Sequence, residues 1–567
     1  MENSWWHSAV VYQIYPRSFA DADGDGMGDL RGIINHLDHL AGLGVDVVWL
    51  SPVYPSPQDD NGYDISDYQD IEPVFGTLAD FDELLAGVHE RGMKLVMDLV
   101  VNHSSDEHRW FAESRSARDS PKRDWYWWRP AREGMEPGAP GAEPTNWGSV
   151  FGGSAWEYDP ATGEYYLHLF SRKQPDLNWE NPEVRDAVHA MMNWWLDRGV
   201  DGFRMDVIDH ISKDTALPDG TPRPGSAYGD GAPHYLNGPR NHEFLREMHE
   251  RVFAGRDNLL TVGEMPGVTV DEAVLYTDPA RKEVDMVFQF DHVWADRGAD
   301  PWALYPLRLT KLKAIFGRWQ AGLAEVGWNS LYWNNHDQPR VVSRFGDDSP
   351  RYRVRSAQML GAVLHLHRGT PYIYQGEEIG MTNAPFGAIE DFRDIEALGQ
   401  YAQAVTHEGR APEQVLTVLR ARGRDNARTP MQWDASPAAG FTTGTPWLAV
   451  NPNYPEVNAA AAAKDPESVY HFYRRLIALR HAEPAVVHGD FTMLLPHDER
   501  LYAFTRTLGD TSLLVIGNFS GDTAAAAIDD AAAWADTELV LTNATAPSGE
   551  LVLQPWQVVV YRRVSPR

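Results

Sequence analysis

The sequence predicts an α/β protein built on a (β/α)8 TIM barrel, with a subdomain inserted after the third strand and an all-β domain at the C-terminus. Short apolar runs alternate with helical patterns over most of the 567 residues, which is typical of a parallel sheet wrapped by helices. One long irregular stretch interrupts this alternation, and period-two strands replace it near the C-terminus. A barrel with eight such units carries its functional residues at the carboxyl ends of the strands.

Eight apolar runs are predicted to form the barrel strands. They are 10–15, 45–50, 94–101, 202–207, 259–263, 284–290, 329–334 and 370–374. Helices are predicted between them, for example 182–198 behind the N-cap residue Asn181, 242–253, and 351–365.

Two long stretches depart from the alternation. The first, 103–181, is rich in Trp, Gly and Pro and is too long for a plain loop, so we expect an inserted subdomain that covers the pocket. The second, 376–466, follows the eighth strand and is expected to face the same pocket. The predicted domains are a first part of the barrel at 1–103, subdomain B at 104–175, a second part of the barrel at 176–485 and a β-sandwich at 486–567. The predicted strands of the last domain are 501–507, 512–519, 538–542 and 551–562.

Composition narrows the class of partner. The net charge of -31, from 81 acidic and 50 basic residues, argues against nucleic acid or an anionic membrane and fits a small neutral substrate. The absence of cysteine excludes disulfides, thiol catalysis and cysteine-ligated zinc. The N-terminus lacks the basic start and apolar segment of a secretory signal, and no run is long enough to span a bilayer, so a cytoplasmic location is expected. The sequence carries no signal for an oligomeric state.

Three carboxylates end predicted strands: Asp206, Glu264 and Asp337. Removing a carboxylate from water costs several kcal/mol unless it is paired or functional, so three of them indicate a ring of acids around one pocket. Glycoside cleavage needs two positioned carboxyl groups, one to protonate the leaving oxygen and one to attack or stabilise the sugar cation. The alternative is that some of these acids belong to a structural ion-pair network.

The neighbours of the three acids predict their roles. Arg204 lies two residues before Asp206 on the same strand, so both side chains point into the barrel and the arginine can keep Asp206 ionised as a nucleophile. Glu264 has no cation beside it in sequence, which favours a protonated acid that later acts as a base. Asp337 follows His336 and is expected to hold sugar hydroxyls.

Four segments resemble, in order and spacing, the four signature regions of the α-amylase family, glycoside hydrolase family 13. They are Asp98-Leu-Val-Val-Asn-His103, Gly202-Phe-Arg-Met-Asp206, Val262-Gly-Glu264 and Asn335-His-Asp337. Gln174-Pro-Asp-Leu-Asn178 resembles the marker of the oligo-1,6-glucosidase subgroup. The resemblance implies a retaining double displacement with Asp206 as nucleophile, Glu264 as acid and base, and Asp337 as transition-state stabiliser.

The resemblance also implies substrate-binding residues at one end of the pocket. Tyr63 matches a tyrosine that stacks on the terminal glucose, and Asp64 an aspartate that binds its outer hydroxyls. Arg424 matches the arginine that pairs with that aspartate and closes the pocket. A pocket closed in this way implies an exo-acting enzyme.

Three further positions carry expectations about the substrate. His103 and His336 match histidines that hydrogen-bond glucose hydroxyls in the same subsite. Val207 occupies the position that accompanies α-1,6 preference in the subgroup. A change of methyl size in a subsite is worth only about 1–3 kcal/mol, so Val207 biases the choice of linkage without fixing it.

A loop after the first strand is a candidate cation site. Acids at alternate positions with interleaved glycines can wrap oxygens around a hard cation, although Gly32 at the twelfth position and the lack of a preceding helix exclude an EF-hand. The family resemblance implies a structural Ca²⁺. The implied ligands are Asp21, Asp23, Asp25, Asp29 and the carbonyl of Met27.

The leading hypothesis is therefore an exo-acting α-glucosidase that cleaves short oligosaccharides and favours α-1,6 links. One alternative uses the same glucosyl-enzyme to transfer glucose to a sugar, as transglucosidases and sucrose isomerases do; the stretch 306–312 lacks the arginine-rich acceptor loop of isomaltulose-forming enzymes. An alternative of another class is a non-catalytic barrel, like the ectodomains of transporter heavy chains. The complete set of three acids disfavours that interpretation.

Overall fold

The computed structural model describes residues 4–222, 226–547 and 551–565 and contains the predicted barrel. Its eight parallel strands are, in chain order, Val11–Ile14, Val47–Leu50, Lys94–Val100, Gly202–Asp206, Leu260–Glu264, Met286–Phe288, Ser330–Leu331 and Thr370–Tyr374. Seven neighbouring pairs are hydrogen-bonded along the sheet. A parallel bridge between Val287 and Asn329 joins its two ends, so the barrel is nearly closed. The sixth and seventh strands are shorter than predicted.

Helices surround the barrel strands. They are Leu30–Asn35, Leu37–Leu43, Leu78–Glu90, Pro182–Arg198, Asn241–Met248, Val270–Thr277, Leu309–Gly322, Val341–Phe345, Arg353–His365, Val469–Ala482 and Pro484–His488. The helix Pro182–Arg198 begins where the Asn181 side chain accepts from the Glu183 amide and ends at Gly199, whose φ is 111°. The predicted helix 242–253 is an α-helix to Met248 that continues as a π-turn, His249–Phe253.

The stretch after the third strand contains a small antiparallel sheet with its own aromatic core. Its strands are Trp128–Arg129, Trp156–Asp159 and Glu164–Leu167, and the helix Arg109–Ser116 precedes them. Trp127, Trp147 and Tyr165 are buried in this core. A bridge between His103 and Asp176 fastens the two ends of the stretch together at the mouth of the barrel.

The long segment after the eighth strand is mostly helical. It contains Ile395–Ala402, Pro412–Arg422, Asp425–Arg428 and Ala459–Lys464. A separate cluster that includes Phe386, Phe392 and Val415 packs these helices together. The segment brings Asp394 and Arg424 over the carboxyl ends of the barrel strands.

The C-terminal part is antiparallel, as predicted. A five-stranded sheet contains, in spatial order, Asp490–Leu494, Leu501–Leu508, Thr511–Asn518, Val558–Val564 and Glu538–Thr542. A two-stranded ribbon, Ala524–Ala525 with Val552–Leu553, and the helix Ala531–Ala535 cover its outer face. The single strand predicted at 551–562 is two strands, because the chain turns at Trp556, whose φ is 54°.

None of the helices within the described ranges combines the length and hydrophobicity that a bilayer-spanning helix requires. The cytoplasmic location stays a prediction.

Candidate active site

A cavity of about 620 Å³ opens at the carboxyl ends of the barrel strands. It is lined by side chains from the barrel loops, by Phe151 and Phe170 of the stretch after the third strand, and by the segment after the eighth strand. The predicted site residues in its lining are Tyr63, His103, Asp206, Val207, Glu264, Asp337 and Arg424. Three further predicted residues, Arg204, His336 and Asp64, are buried.

Arg204 lies at the centre of the acids and is 1% exposed. Its Nη1 atom is 2.7 Å from both Asp98 Oδ1 and Asp206 Oδ1, and its Nη2 atom is 2.7 Å from Glu264 Oε1. The expectation that Glu264 has no neighbouring cation is therefore wrong. The fourth and fifth strands are adjacent, so an arginine beside Asp206 in sequence also reaches Glu264 across the sheet.

Burial favours the protonated forms of Glu264 and Asp206. It raises the pKa of Glu264 to about 8, although Arg204 opposes the shift. It raises the pKa of Asp206 to about 7, against the same arginine. Glu264 therefore holds its proton more strongly than Asp206, which is the order that an acid beside a nucleophile requires.

Asp337 has the opposite electrostatic environment. Burial favours its neutral form, but His336, Arg424 and Arg428 outweigh burial and lower the pKa of Asp337 below its ordinary value. Burial also lowers the pKa of His336 to about 3, so this ring is neutral near pH 7 and the two arginines supply the charge. Arg428 Nη2 lies 2.7 Å and Arg424 Nη1 3.3 Å from Asp337 Oδ1.

Arg424 does not pair with Asp64, although the structure describes both residues. Its Nη2 atom is 3.1 Å from Asp60 Oδ1, and the guanidinium also contacts Asp394 and Glu396. Asp64 is fully buried, and its carboxylate accepts from Ser56 Oγ and from the amides of Asp59 and Asp60. The predicted pair of Arg424 with Asp64 is therefore wrong. Asp60, four residues earlier in the chain, is the acid that contacts Arg424 and lines the cavity.

The subgroup marker connects directly to the cavity wall. Gln174 Nε2 lies 3.1 Å from Asp60 Oδ2 and 3.2 Å from His103 Nε2. Asp176 Oδ2 lies 2.9 Å from Lys213 Nζ, and both side chains are fully buried. The marker therefore fixes the position of two cavity residues.

Tyr63 links the wall to the acids. Its hydroxyl donates to Asp98 Oδ2 at 2.9 Å, and its ring stacks on His336 with centroids 5.0 Å apart. His336 Nε2 lies 3.3 Å from Asp337 Oδ2, while Nδ1 is 2.9 Å from Gln13 Nε2. Contact of either histidine with a sugar stays a prediction.

Val207 has a strained backbone directly after Asp206. Its φ is 34° and its ψ is 45°, a left-handed conformation that is unusual for a β-branched residue. Its amide donates to Glu264 Oε2 at 3.1 Å. The turn therefore joins two of the acids through the backbone as well as through Arg204.

Sequence reasoning missed several residues of this site. Asp98 begins the first of the four family segments and Arg428 lies four residues after Arg424, but neither was predicted to have a role. Asp60 is one of two adjacent acids before the Gly-Tyr-Asp turn, and Asp394 precedes a helix of the last long segment. An arginine four residues before another, as in 424 and 428, is the signal that could have indicated a second acid cluster.

The candidate cation loop brings three acids together. Oxygens of Asp21, Asp23 and Asp29 lie within 4.8 Å of one another. Asp21 accepts from the amides of Gly24 and Gly26 and from the Thr442 hydroxyl. Burial opposes the charge of Asp21, but these hydrogen bonds together lower its pKa.

Asp25 accepts from the Met27 amide at 2.7 Å, within its own loop. Its role as a ligand, and that of the Met27 carbonyl, stay predictions.

Comparison with known proteins agrees with this geometry. An oligo-1,6-glucosidase of Parageobacillus thermoglucosidasius is 57% identical over 567 residues, which cover 99% of each chain. The crystal structure of a Bacillus licheniformis trehalose-6-phosphate hydrolase superposes with a TM-score of 0.91 at 46% identity and covers 99% of this chain and 100% of that one. A trehalulose synthase from Pseudomonas mesoacidophila MX-45 superposes with a TM-score of 0.92 at 45% identity and the same coverage.

The family model described as "Alpha amylase, catalytic domain" matches residues 13–489. This range begins within the first barrel strand and contains the other seven strands, the three strand-end acids and both long segments that line the cavity. The chain is a glycoside hydrolase and belongs to the α-amylase family.

Proposed function

We propose that this protein is an exo-acting, retaining α-glucosidase that removes glucose from the non-reducing ends of short oligosaccharides and favours α-1,6 links. The observation that carries the proposal is the contact of one buried guanidinium, Arg204, with both Asp206 and Glu264. Retaining glycosidases require two carboxyl groups only about 5–5.5 Å apart, and a shared guanidinium holds two carboxyl groups close together. The linkage preference is supported by Val207 and by relatives that are named oligo-1,6-glucosidases.

In the first step, an Asp206 oxygen attacks the anomeric carbon while Glu264 protonates the glycosidic oxygen. The bond to the leaving sugar breaks, and a glucosyl ester forms on Asp206. The raised pKa of Glu264 supports its role as the proton donor near neutral pH.

In the second step, the Glu264 carboxylate takes a proton from a water molecule, and the water oxygen attacks the anomeric carbon. The ester bond breaks, glucose leaves with retained configuration, and Asp206 and Glu264 return to their starting states. Asp337 remains ionised throughout and stabilises the positive charge that develops on the ring, because its pKa is lowered.

The exo mode is supported by the ion pairs at one end of the cavity. Arg424 with Asp60, Asp394 and Asp337 forms a charged wall there. In this proposal Asp60 and Asp337 bind the outer hydroxyls of the terminal glucose, and the wall leaves no path for a longer chain.

Transfer of glucose to a sugar is the second candidate function, supported by the structural similarity to a trehalulose synthase. Separate incubations with isomaltose, maltose, sucrose and panose, followed by chromatography, distinguish the two. Hydrolysis gives glucose and only sugars shorter than the substrate, for example maltose from panose, with isomaltose consumed faster than maltose; transfer gives longer or rearranged sugars. Asp206→Asn is the matched control, and substantial glucose release by this variant would contradict the mechanism.

A structural Ca²⁺ is part of the proposal. Asp21, Asp23 and Asp29 would hold it, because three converging carboxylates, one of them held ionised by hydrogen bonds, are a donor set suited to a hard cation. The ion would fix the loop after the first strand and take no part in the chemistry.

A further inference from the structure

We propose that Arg340 is a positioning residue for the glucose end of the cavity, because it fixes the short helix Asp425–Arg428 and thereby holds Arg424 and Arg428 against Asp337. The inference rests on the proposed function and deepens it, since it identifies what keeps the two cations of Asp337 in place. Arg340 is 1% exposed and does not belong to the described residues that line the cavity, so it acts on the site from behind.

The Arg340 guanidinium donates to three backbone carbonyls. Its Nε atom lies 3.2 Å from the carbonyl oxygen of Asn426, its Nη2 atom lies 3.0 Å from that of Ala427, and Nη1 donates to that of Gln375. Gln375 follows the eighth barrel strand. One side chain therefore joins the loop after the seventh strand, the end of the eighth strand and the short helix.

The charge of Arg340 is not used in an ion pair. Among the described residues, the guanidinium donates to carbonyls and to no carboxylate. Burial of an unpaired cation is costly unless its donors are satisfied. Displacement of the short helix away from Arg340 would remove two of the three acceptors and is therefore opposed.

Two other buried donors hold the same end of the helix. The Tyr374 hydroxyl donates to the Ala427 carbonyl at 2.8 Å, and Ser18 Oγ donates to the Arg428 carbonyl at 2.6 Å. The last carbonyls of a helix have no partner within it, and this helix has only four residues. Its position thus depends on donors that the barrel supplies, and Arg340 supplies the charged one.

The helix determines where the two cations of Asp337 lie. Arg424 is its N-cap residue and Arg428 its last residue. Arg428 Nη2 lies 2.7 Å and Arg424 Nη1 3.3 Å from Asp337 Oδ1. A shift of the helix would therefore move both guanidinium groups relative to Asp337, and a misplacement of about 1 Å in a catalytic site can cost about 100-fold in rate.

Arg340→Met removes the three donors and keeps a flexible side chain in the same space. We expect kcat/KM to fall about 10- to 100-fold, by the same factor for isomaltose and for p-nitrophenyl α-glucoside, because these substrates share the glucosyl group and differ in the leaving group. The inhibition constant of 1-deoxynojirimycin, a cationic analogue of glucose without a leaving group, should rise in the same variant. All measurements are made well below the melting temperature of each protein.

Arg506→Met is the matched control. Arg506 is also fully buried, and its guanidinium donates to the carbonyls of Leu366 and Gly489 from the strand Leu501–Leu508 of the C-terminal sheet. Both methionine variants lose a buried guanidinium that donates to carbonyls, so both should have a lower melting temperature. Only Arg340→Met should change kcat/KM and the inhibition constant of the folded enzyme.

Two milder variants test the inference even if Arg340→Met does not fold. Arg340→Lys keeps a buried cation that can donate to carbonyls, so its loss of kcat/KM should be smaller than the range expected for Arg340→Met. Tyr374→Phe removes only the hydroxyl donor to Ala427 and should lower kcat/KM about twofold to tenfold, the range expected for one lost hydrogen bond.

The inference would be overturned by wild-type kcat/KM and inhibition in folded Arg340→Met, or in both milder variants if Arg340→Met does not fold. An equal loss of kcat/KM in Arg506→Met would also overturn it. These results would leave the proposed function intact. Failure of the wild-type enzyme to cleave either substrate would instead contradict the proposed function itself.

Discussion

At the scale of single residues, two buried arginines set the charge of the site. Arg204 contacts Asp98, Asp206 and Glu264, and Arg424 contacts a second set of acids. Each arginine forms ion pairs with several carboxylates, so the acids cannot be treated as members of independent ion pairs. Removing one partner from a buried pair costs about 3–5 kcal/mol, so substitution of either arginine would confuse folding with catalysis. Single acids are better probes.

Asp60 and Asp64 form a matched pair of probes. We expect Asp60→Asn to lower kcat/KM for isomaltose about 10- to 100-fold, because a charged hydrogen bond to a sugar hydroxyl is worth about 1.5–3 kcal/mol. The melting temperature should change little, because Arg424 keeps its other three carboxylate partners, Asp337, Asp394 and Glu396.

Asp64→Asn should instead destabilise the fold by about 1–3 kcal/mol, because an amide NH₂ would face the Asp59 amide that Asp64 Oδ2 now accepts. Steady-state kinetics and calorimetry on both variants provide the check. Loss of activity in Asp64→Asn without loss of stability would return the sugar-binding role to Asp64.

The raised pKa of Glu264 predicts a bell-shaped pH profile. As the pH falls through the pKa of Asp206, about 7, the nucleophile is protonated and kcat/KM falls. As the pH rises through the pKa of Glu264, about 8, the acid loses its proton and kcat/KM falls again. The two limbs belong to a coupled pair.

Glu264→Gln should abolish the alkaline limb in the single-turnover release of p-nitrophenol from p-nitrophenyl α-glucoside. This substrate still reacts in the variant because p-nitrophenolate is a stable anion that leaves without being protonated by a general acid. An alkaline limb that persists in the variant would assign it to another group.

At the scale of elements, the strand ends were the predictable part of the site. Parallel strands with acids at their carboxyl ends must present those acids to one pocket, so Asp206, Glu264 and Asp337 could be placed from the sequence. Contacts between strands were not predictable, which is why the approach of Arg204 to Glu264 was missed. Asp60 was missed because the loop directs the Asp60 carboxylate to Arg424 and buries the Asp64 carboxylate against the amides of Asp59 and Asp60, and sequence spacing does not determine this conformation.

The loop after the first strand gives a prediction of its own. Treatment with EDTA should lower the melting temperature, and added Ca²⁺ should restore it, because the ion neutralises three converging carboxylates in the folded state alone. Glucose release measured well below the melting temperature should persist after chelation. Immediate loss of activity without a change in melting temperature would place the cation in the chemistry instead.

At the scale of the whole molecule, the C-terminal sheet supports the barrel from outside the cavity. Alternate residues of its strands face opposite ways, and Leu513 and Val515 join the barrel core while Leu514 and Ile516 face the ribbon. Arg506 is fully buried and donates to the carbonyls of Leu366 and Gly489. The period-two pattern predicted this sheet, whereas its docking on the helix Arg353–His365 depends on side-chain shapes that the pattern does not contain.

The docking surface can be tested at a glycine. A Cβ at Gly517 would lie 2.8 Å from Val363 Cγ2 and 3.0 Å from Met359 Sδ, so Gly517→Leu should destabilise the protein by about 1–3 kcal/mol. Activity of the folded enzyme should be unchanged, because none of the described residues of the C-terminal sheet lines the cavity. Gly521→Ala is the control, since no atom of the described residues lies within 4 Å of the added Cβ. Equal melting temperatures for the two variants would contradict the described docking.

In the proposed mechanism, Asp206 carries the glucosyl group between the two chemical steps. The most direct measurement is trapping with 5-fluoro-α-glucosyl fluoride, whose fluorine destabilises the positive charge needed to break the intermediate down, followed by mass spectrometry of peptic peptides. We expect one fluoroglucosyl group per chain, attached to the Asp206 carboxylate. A label on Glu264, Asp337 or any other residue would contradict it.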